Sequence, residues 1–199
     1  NVNTLANDSN MGILDLAQRR ILTMPYTVTE FNYSGPGEYR AAGGLILGAQ
    51  AALQNWGALW RFAWSHSERG IVQPEKGAAT TFDLAGDPLN LASERAFMAL
   101  FLRRDLPELT RTACLVLPEG KVADEVTRCV DADAVRFRSI AWWVKLGSVI
   151  AEAAPSGAIE LGTYPKVFDR TLKSVQAEVF GPTAAGQLPV AGGGRVKVD

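Results

Sequence analysis

Two short runs of β-branched and aromatic residues, separated by a long stretch rich in small residues, constrain the fold more than any other feature. The runs are PYTVTEFNY (25–33) and ALWRFAWSH (58–66), and both have the composition that is typical of strands. Between them, SGPG at 34–37 predicts a turn, and residues 38–56 predict a long helix. A helical crossover of this length requires the two strands to run parallel to each other.

The same alternation extends to both sides of this unit. Residues 11–22 carry apolar side chains at helical spacing and predict a helix before the first strand. Residues 87–104 predict a third helix, because Asp87 is a good capping residue and a proline follows it at the first helical position. The sequence from 11 to 106 therefore indicates an α-β-α-β-α order.

The pattern changes in the second half of the chain. Residues 110–118 and 134–140 predict strands, residues 141–153 predict a helix, and the remainder alternates short apolar runs with Gly and Pro. We therefore predict two domains, an α/β domain at 1–106 and a small β-rich accessory domain at 107–199.

Composition excludes several classes of function. Twenty basic and 21 acidic residues are scattered along the chain and give a net charge of −1, which predicts no nucleic-acid partner. No apolar run approaches the roughly 18 residues of a membrane span, so we expect no membrane partner. One His and two Cys, without a CxxC pair, predict no metal site, and nothing indicates a cofactor. Cys114 and Cys129 are either buried thiols or a disulfide.

The beginning of the chain leaves its location open. The first ten residues have no signal-peptide pattern, and the chain does not begin with Met, so we expect a piece of a longer or processed protein. A secreted or periplasmic location is compatible with this, and the localisation is unknown.

The segment 25–66 resembles a known family through an ordered set of motifs. They are a Pro, a run of apolar residues and Thr, then Glu-Phe-Asn, a Pro, Tyr-Arg and a Trp-rich second strand. This set is similar to strand seven, helix seven and strand eight of the (β/α)8-barrel glycoside hydrolases of the large retaining clan that includes β-galactosidases and cellulases. The resemblance extends over about 11–106 and implies the last βα units of a partial (β/α)8 barrel. It also implies that Glu30 is the catalytic nucleophile and that Trp64 forms the floor of a sugar subsite.

The chemistry of such enzymes requires more than Glu30. Barrel active sites lie at the C-terminal ends of the strands, and retaining glycosidases use two carboxyl groups about 5–5.5 Å apart. The family's acid/base Glu belongs to strand four, which has no counterpart in this chain. The candidates for a substitute acid are Glu38, Glu68 and Glu75. None belongs to a recognisable motif, and all three are expected to be solvated. We therefore expect little or no hydrolase activity from the isolated chain.

Glu30 also has a structural interpretation. Period two would put it on the same side of the first strand as Val28, where a buried Glu would need an arginine such as Arg40 or Arg61. The two interpretations differ in the environment of the carboxylate, so the fold can separate them.

The other candidate sugar-binding residues also have two interpretations each. Asn32 and Tyr33 either hydrogen-bond sugar hydroxyls or satisfy the turn, Trp64 is a stacking platform or core, and His66 binds a substrate hydroxyl or lies in solvent. Trp56 and Trp60 are expected in the core.

Three hypotheses about function follow. The first is a fragment or subunit of a retaining glycoside hydrolase that acts on β-linked sugars in carbohydrate metabolism, with Glu30 as nucleophile. Its partners would be a carbohydrate substrate and either the missing N-terminal part of the barrel or a second copy of the chain. The second is a non-catalytic carbohydrate-binding or structural remnant, and the third is a small α/β domain unrelated to sugars.

Overall fold

The computed structural model gives a mixed α/β fold with small parallel sheets and, within the described ranges, no closed barrel. The described residues are 12–35, 37, 39–73, 80–121, 137–164, 170–180, 187–189 and 195–197.

The first half has the predicted α-β-α-β-α order, with one additional short helix at Glu68–Val72. In chain order they are helix α1 (Gly12–Gln18), strand β1 (Thr27–Phe31), a 3-10 turn (Arg40–Ala42), helix α2 (Gly43–Leu53), strand β2 (Ala58–Arg61), helix α3 (Glu68–Val72), helix α4 (Pro88–Phe97) and a π-helical turn (Met98–Leu102). β1 and β2 pair in parallel, which confirms the crossover that the spacing predicts.

The predicted cap of the third helix is confirmed. The Asp87 carboxylate accepts hydrogen bonds from the backbone N–H groups of Leu89, at 3.1 Å, and Asn90, at 3.3 Å. Pro88 occupies the first helical position, where its missing N–H has no cost. The cap thus fixes where α4 begins.

The small residues of α2 pack against α4. A Cβ atom on Gly44 would lie 2.1 Å from the Ser93 carbonyl oxygen, and one on Gly48 would lie 3.0 Å from the Phe97 Cα atom. The Gly44 N–H also donates to the Ser93 hydroxyl at 2.6 Å. These glycines therefore allow the close approach of two helices.

The second half is built on another parallel sheet. Its elements are strand β3 (Thr112–Leu117), a 3-10 turn (Glu119–Lys121), a 3-10 helix (Arg138–Trp142), strands β4 (Lys145–Ile150) and β5 (Ile159–Thr163), helix α5 (Leu172–Phe180), and the antiparallel strands β6 (Gln187–Pro189) and β7 (Arg195–Lys197). The strand order is β4-β3-β5, and both pairs are parallel.

Two predictions fail between residues 134 and 153. The predicted strand at 134–140 is helical in its described part, where Phe137, Ile140 and Ala141 are all buried at helical spacing. The predicted helix at 141–153 is replaced by β4. β4 is buried along most of its length, and a strand buried on both faces reads as a continuous apolar run without alternation.

The first half of the chain covers the outer edge of β4. The Leu22 N–H donates to the Ser148 carbonyl and the Ser148 N–H donates to the Arg20 carbonyl, both at 2.8 Å. A Cβ atom on Gly147 would lie 2.7 Å from that Arg20 oxygen, so glycine permits the close approach of the two backbones. One continuous hydrophobic cluster accordingly includes Leu47 and Phe97 as well as Leu115 and Leu146, and it extends across residue 107.

Candidate functional site

A β-bulge in β1 determines where Glu30 points. The register pairs Val28 with Leu59 and Phe31 with Arg61, so two residues of β1, Thr29 and Glu30, face the single residue Trp60 of β2. Val28 is buried whereas Glu30 is exposed, so the prediction of one shared face is wrong. A bulge inserts one residue and redirects the side chains that follow. Here it moves Glu30 away from the core face.

One face of the β1–β2 pair is exposed, and no described element covers it. Val28, Phe31 and Leu59 belong to the hydrophobic cluster with α2 and α4, whereas Thr27, Thr29 and Glu30 are exposed. Trp60, predicted in the core, is 53% exposed and opposes the bulge, so that prediction is wrong. Parallel sheets normally have both faces covered, which makes this uncovered face the unusual feature of the fold. We call it the open face.

Trp56, which lies between α2 and β2, is in the core as predicted. Trp56 is fully buried, and its ring meets that of Tyr26 edge-on with 5.4 Å between the centroids. The indole of Trp56 thus lies in the core, whereas that of Trp60 lies on the open face.

Neither arginine of the structural interpretation pairs with Glu30. Arg40 Nε donates to Asp87 Oδ2 at 2.6 Å, and Arg61 Nη1 lies 3.3 Å from Glu94 Oε1. The Glu30 side chain is exposed, and within the described part of the chain it makes no ion pair or hydrogen bond. The carboxylate is therefore available to an external group.

Glu94 is a buried carboxylate that sequence reasoning missed. Burial raises its pKa, although the neighbouring Arg61 opposes the shift. Arg61 lies over the Phe31 ring, 5.5 Å from its centroid, and so belongs to the helix-covered side of the sheet. Glu94 is therefore not a partner for Glu30 on the open face. In the sequence, Glu94 differs from an ordinary surface carboxylate only in that it lies in a predicted helix with apolar neighbours.

The Asn32 side chain connects two segments beyond the ends of β1 and β2 by hydrogen bonds. Its side-chain Nδ2 donates to the carbonyl oxygens of Phe62 and Phe82, the latter at 2.8 Å. Both donor hydrogens are thereby used within the protein. The arrangement favours a turn-satisfying role for Asn32, and its role as a sugar ligand stays a prediction.

Tyr33 packs on the side of the helices. A Cβ atom on Gly43 would lie 2.1 Å from the Tyr33 ring, and the Arg61 guanidinium lies 5.6 Å from the ring centroid. Burial raises the pKa of the Tyr33 hydroxyl well above its usual range. This position favours packing, and a contact with sugar stays a prediction for Tyr33 as well.

Trp64 lies beyond the end of β2 with a solvent-facing side chain. Its backbone carbonyl accepts a hydrogen bond from the Ala85 N–H at 2.9 Å, and the Leu84 N–H donates to the Ala63 carbonyl at 3.0 Å. The indole is 56% exposed, which is the state that a stacking platform requires. Core packing is therefore not its role.

His66 is paired with a buried carboxylate. Its Nδ1 lies 2.6 Å from Oδ1 of Asp83, whose side chain is fully buried, while the imidazole remains one-third exposed. The His66 backbone N–H also donates to Oδ1 at 3.1 Å. Sequence reasoning named His66 but missed Asp83, which is 17 residues away and carries no motif.

The described residues include only some of the other sequence candidates. Glu68 is exposed at the start of α3, and Glu38 and Glu75 lie outside the described residues. Cys114 is a buried free thiol, one of the two states that the sequence left open, and burial raises its pKa to about 11. Cys129 lies outside the described residues. No cluster of three metal-binding side chains occurs in the described ranges. None of the helices there has the length and apolar character needed to cross a membrane.

Comparison with family models, curated proteins and solved structures finds no match to this chain.

Proposed function

We propose that the chain carries the nucleophile half of a retaining glycoside hydrolase site, with Glu30 as the attacking carboxylate and β-linked sugars as substrates. The observation that carries the proposal is the bulge, which turns Glu30 onto the uncovered face of a parallel strand pair, opposite the exposed indole of Trp60. Exposed indole faces stack on the apolar C–H faces of sugar rings, and a nearby carboxylate attacks the anomeric carbon.

We place the second carboxylate outside the β1–β2 pair, because Glu30 is the one carboxylate of these two strands. A retaining mechanism needs a proton donor about 5–5.5 Å from the nucleophile. Within the described part of the chain, no other carboxylate belongs to the open face. The uncovered face and the unpaired edges of the β1–β2 sheet support completion by further parallel strands, as in a (β/α)8 barrel. Two such strands are then the last of eight.

Covalent labelling tests the assignment of Glu30 without the missing acid. A dinitrophenyl 2-deoxy-2-fluoro-β-glycoside releases a weakly basic leaving group that needs no proton donor, and it leaves the sugar on the nucleophile. We expect peptide mass spectrometry to find the label on Glu30 of the full 199-residue chain. E30Q should remain unlabelled, whereas the control E152Q, at an exposed carboxylate after β4, should label normally. A label on another residue, or none on Glu30, would contradict the assignment.

Steady-state kinetics test the incompleteness of the site. With ordinary aryl β-glycosides, whose leaving groups need protonation, we expect turnover by the isolated chain to be close to the uncatalysed rate. Robust turnover that E30Q abolishes would show that a complete acid/base pair is present, and would refute the fragment hypothesis.

A non-catalytic carbohydrate-binding role is the second candidate. It is favoured by the exposure of two indoles, Trp60 and Trp64, on or beside the open face. In that case W64A should abolish binding of β-linked oligosaccharides, whereas E30Q should leave binding unchanged, because stacking would supply the affinity. Isothermal titration with both variants separates the two candidates.

A further inference from the structure

The carboxylate of Asp83 is surrounded by hydrogen-bond donors. It accepts the His66 backbone N–H and the Thr80 hydroxyl at Oδ1, at 3.1 and 3.0 Å, and the Thr80 backbone N–H at Oδ2, at 3.2 Å. Three donors stabilise the ionised form of the carboxylate, and an ionised carboxylate acts only as an acceptor. The proton of the 2.6 Å contact therefore belongs to Nδ1 of His66.

This contact determines the tautomer of the imidazole. A neutral imidazole carries its proton on one nitrogen, and the hydrogen bond made by that nitrogen decides which nitrogen stays free. With Nδ1–H directed to Asp83, the nitrogen left for an external partner is Nε2. The side chain is one-third exposed, so the ring is not sealed in the core.

Aromatic contacts also fix the orientation of the ring. The imidazole meets Phe62 edge-on with 5.1 Å between centroids, and Phe62 lies 5.9 Å from Phe82. Phe62 follows β2 directly, and its N–H donates to the Phe31 carbonyl at the end of β1. His66 therefore lies at the C-terminal edge of the strand pair, the edge that also carries Glu30.

We propose that Asp83 is a positioning residue that holds His66 with Nδ1–H inward, so that Nε2 accepts a hydrogen bond from a hydroxyl of the sugar bound on the open face. The inference rests on the proposed function and adds to it a polar contact that accompanies stacking on indole. If Asp83 only stabilised the loop, its hydrogen bonds from the backbone N–H groups of His66 and Thr80 would be sufficient. That role would not require Nδ1–H of His66 to point towards Asp83.

Nitrogen NMR tests the first part directly, because the chain contains a single histidine. In ¹⁵N-labelled full-length chain at a pH where the imidazole is neutral, we expect long-range ¹H–¹⁵N spectra to show a protonated Nδ1 and an unprotonated Nε2. A protonated Nε2 in the wild-type protein would overturn the proposal, and no variant needs to fold for this result. D83A should lose the inward tautomer, whereas T80V, which removes only the hydroxyl donor to Asp83, should keep it.

Titration with cellobiose and with methyl β-galactoside tests the second part. We expect the Nε2 signal to shift together with the indole N–H signals of the exposed tryptophans. H66A should bind about threefold to tenfold more weakly, which corresponds to the loss of one neutral hydrogen bond. Indole shifts without an Nε2 shift would overturn this inference and leave the proposed function intact. The absence of any shift with either sugar would contradict both.

Discussion

At the scale of single residues, Asp87 links two parts of the candidate site. Its carboxylate caps α4 and also binds the guanidinium of Arg40, which precedes α2. Asn90 Nδ2 donates to Asp87 Oδ2 and to the Tyr33 carbonyl, both at 3.0 Å. The loop that follows Glu30 is thus tied to the start of a helix by one carboxylate.

The cap and the ion pair of Asp87 can be separated by substitution. Asn is as good a cap as Asp but carries no charge and has an NH2 donor in place of Oδ2, so D87N should keep the cap and lose the Oδ2 bonds with Arg40 and Asn90 Nδ2. D87A should lose the cap as well, which lowers the free energy of unfolding by about a further 1 kcal/mol. Urea denaturation measures both variants. Equal stability of D87N and D87A would contradict a capping role.

Asp87 should also contribute to acid sensitivity. Burial alone would raise its pKa, but hydrogen bonds from Arg40 and from the start of α4 lower it below the ordinary value. A carboxyl with a lowered pKa stabilises the fold above its unfolded-state pKa of about 4, and this contribution disappears as the pH falls through the folded-state pKa. The stability difference between wild type and D87N should therefore be constant above about pH 5 and shrink at lower pH.

Urea denaturation from about pH 3 to pH 6 measures this dependence on Asp87. D105N is the matched control, because Asp105 has a comparable arginine contact with Arg103 but is solvent-exposed, where ion pairs contribute little. A pH-independent difference between wild type and D87N would contradict the assignment.

At the scale of elements, the contact between α2 and α4 depends on glycine. The two helices approach so closely that the Gly44 N–H reaches a serine hydroxyl of α4. Because α2 and α4 pack together in this way, both helices lie on the same side of the β1–β2 pair. The opposite side is the open face.

Replacing Gly44 by Ala should destabilise the protein despite the better helix propensity of Ala. The propensity gain is at most about 1 kcal/mol, whereas overpacking against the Ser93 backbone typically costs about 1–3 kcal/mol. G120A is the control, because a Cβ atom at Gly120 would meet nothing within 4 Å. Thermal unfolding should show a lower Tm for G44A, and an unchanged or higher Tm would contradict the packing argument.

At the scale of the whole molecule, buried glutamines join the two halves of the chain. Gln54, after α2, donates from Nε2 to the carbonyls of Ala141, at 2.6 Å, and Val144, at 2.7 Å. Its Oε1 accepts the Leu146 N–H at 2.9 Å. Together with the shared hydrophobic cluster, these bonds lead us to expect residues on both sides of position 107 to unfold together.

Removal of the Gln54 amide tests this coupling. Q54L would leave the Val144 carbonyl and the Leu146 N–H without the Gln54 amide, while the Ala141 carbonyl would keep its 3.2 Å bond from Gln50 Nε2. Each unsatisfied buried group costs about 1–3 kcal/mol. We expect a loss of about 2 kcal/mol or more in a single urea transition, whereas the exposed control Q73L should change stability by less than about 0.5 kcal/mol. Two separate transitions in the wild-type protein would contradict the coupling and favour independent domains at 1–106 and 107–199.

Local sequence signals predicted the elements whose cause is local. The Asp87 cap, the parallel β1–β2 crossover and the helix between the strands follow from capping chemistry, strand propensity and connection length, which are all properties of neighbouring residues. For the candidate site, the sequence alone identified Glu30, Trp64 and His66 as chemically interesting.

Only the tertiary structure decided how these residues are presented. The register shift against β2 turns Glu30 and Trp60 to the open face, and strict alternation along β1 cannot reveal a shift that depends on the partner strand. Residues 145–150 form a strand because β3 and the backbone near Ile21 supply hydrogen bonds on both edges. Asp83 lies next to His66 because residues 82–85 form backbone hydrogen bonds with residues 63 and 64. Each of these outcomes depends on a partner distant in sequence, which is why the local pattern did not contain it.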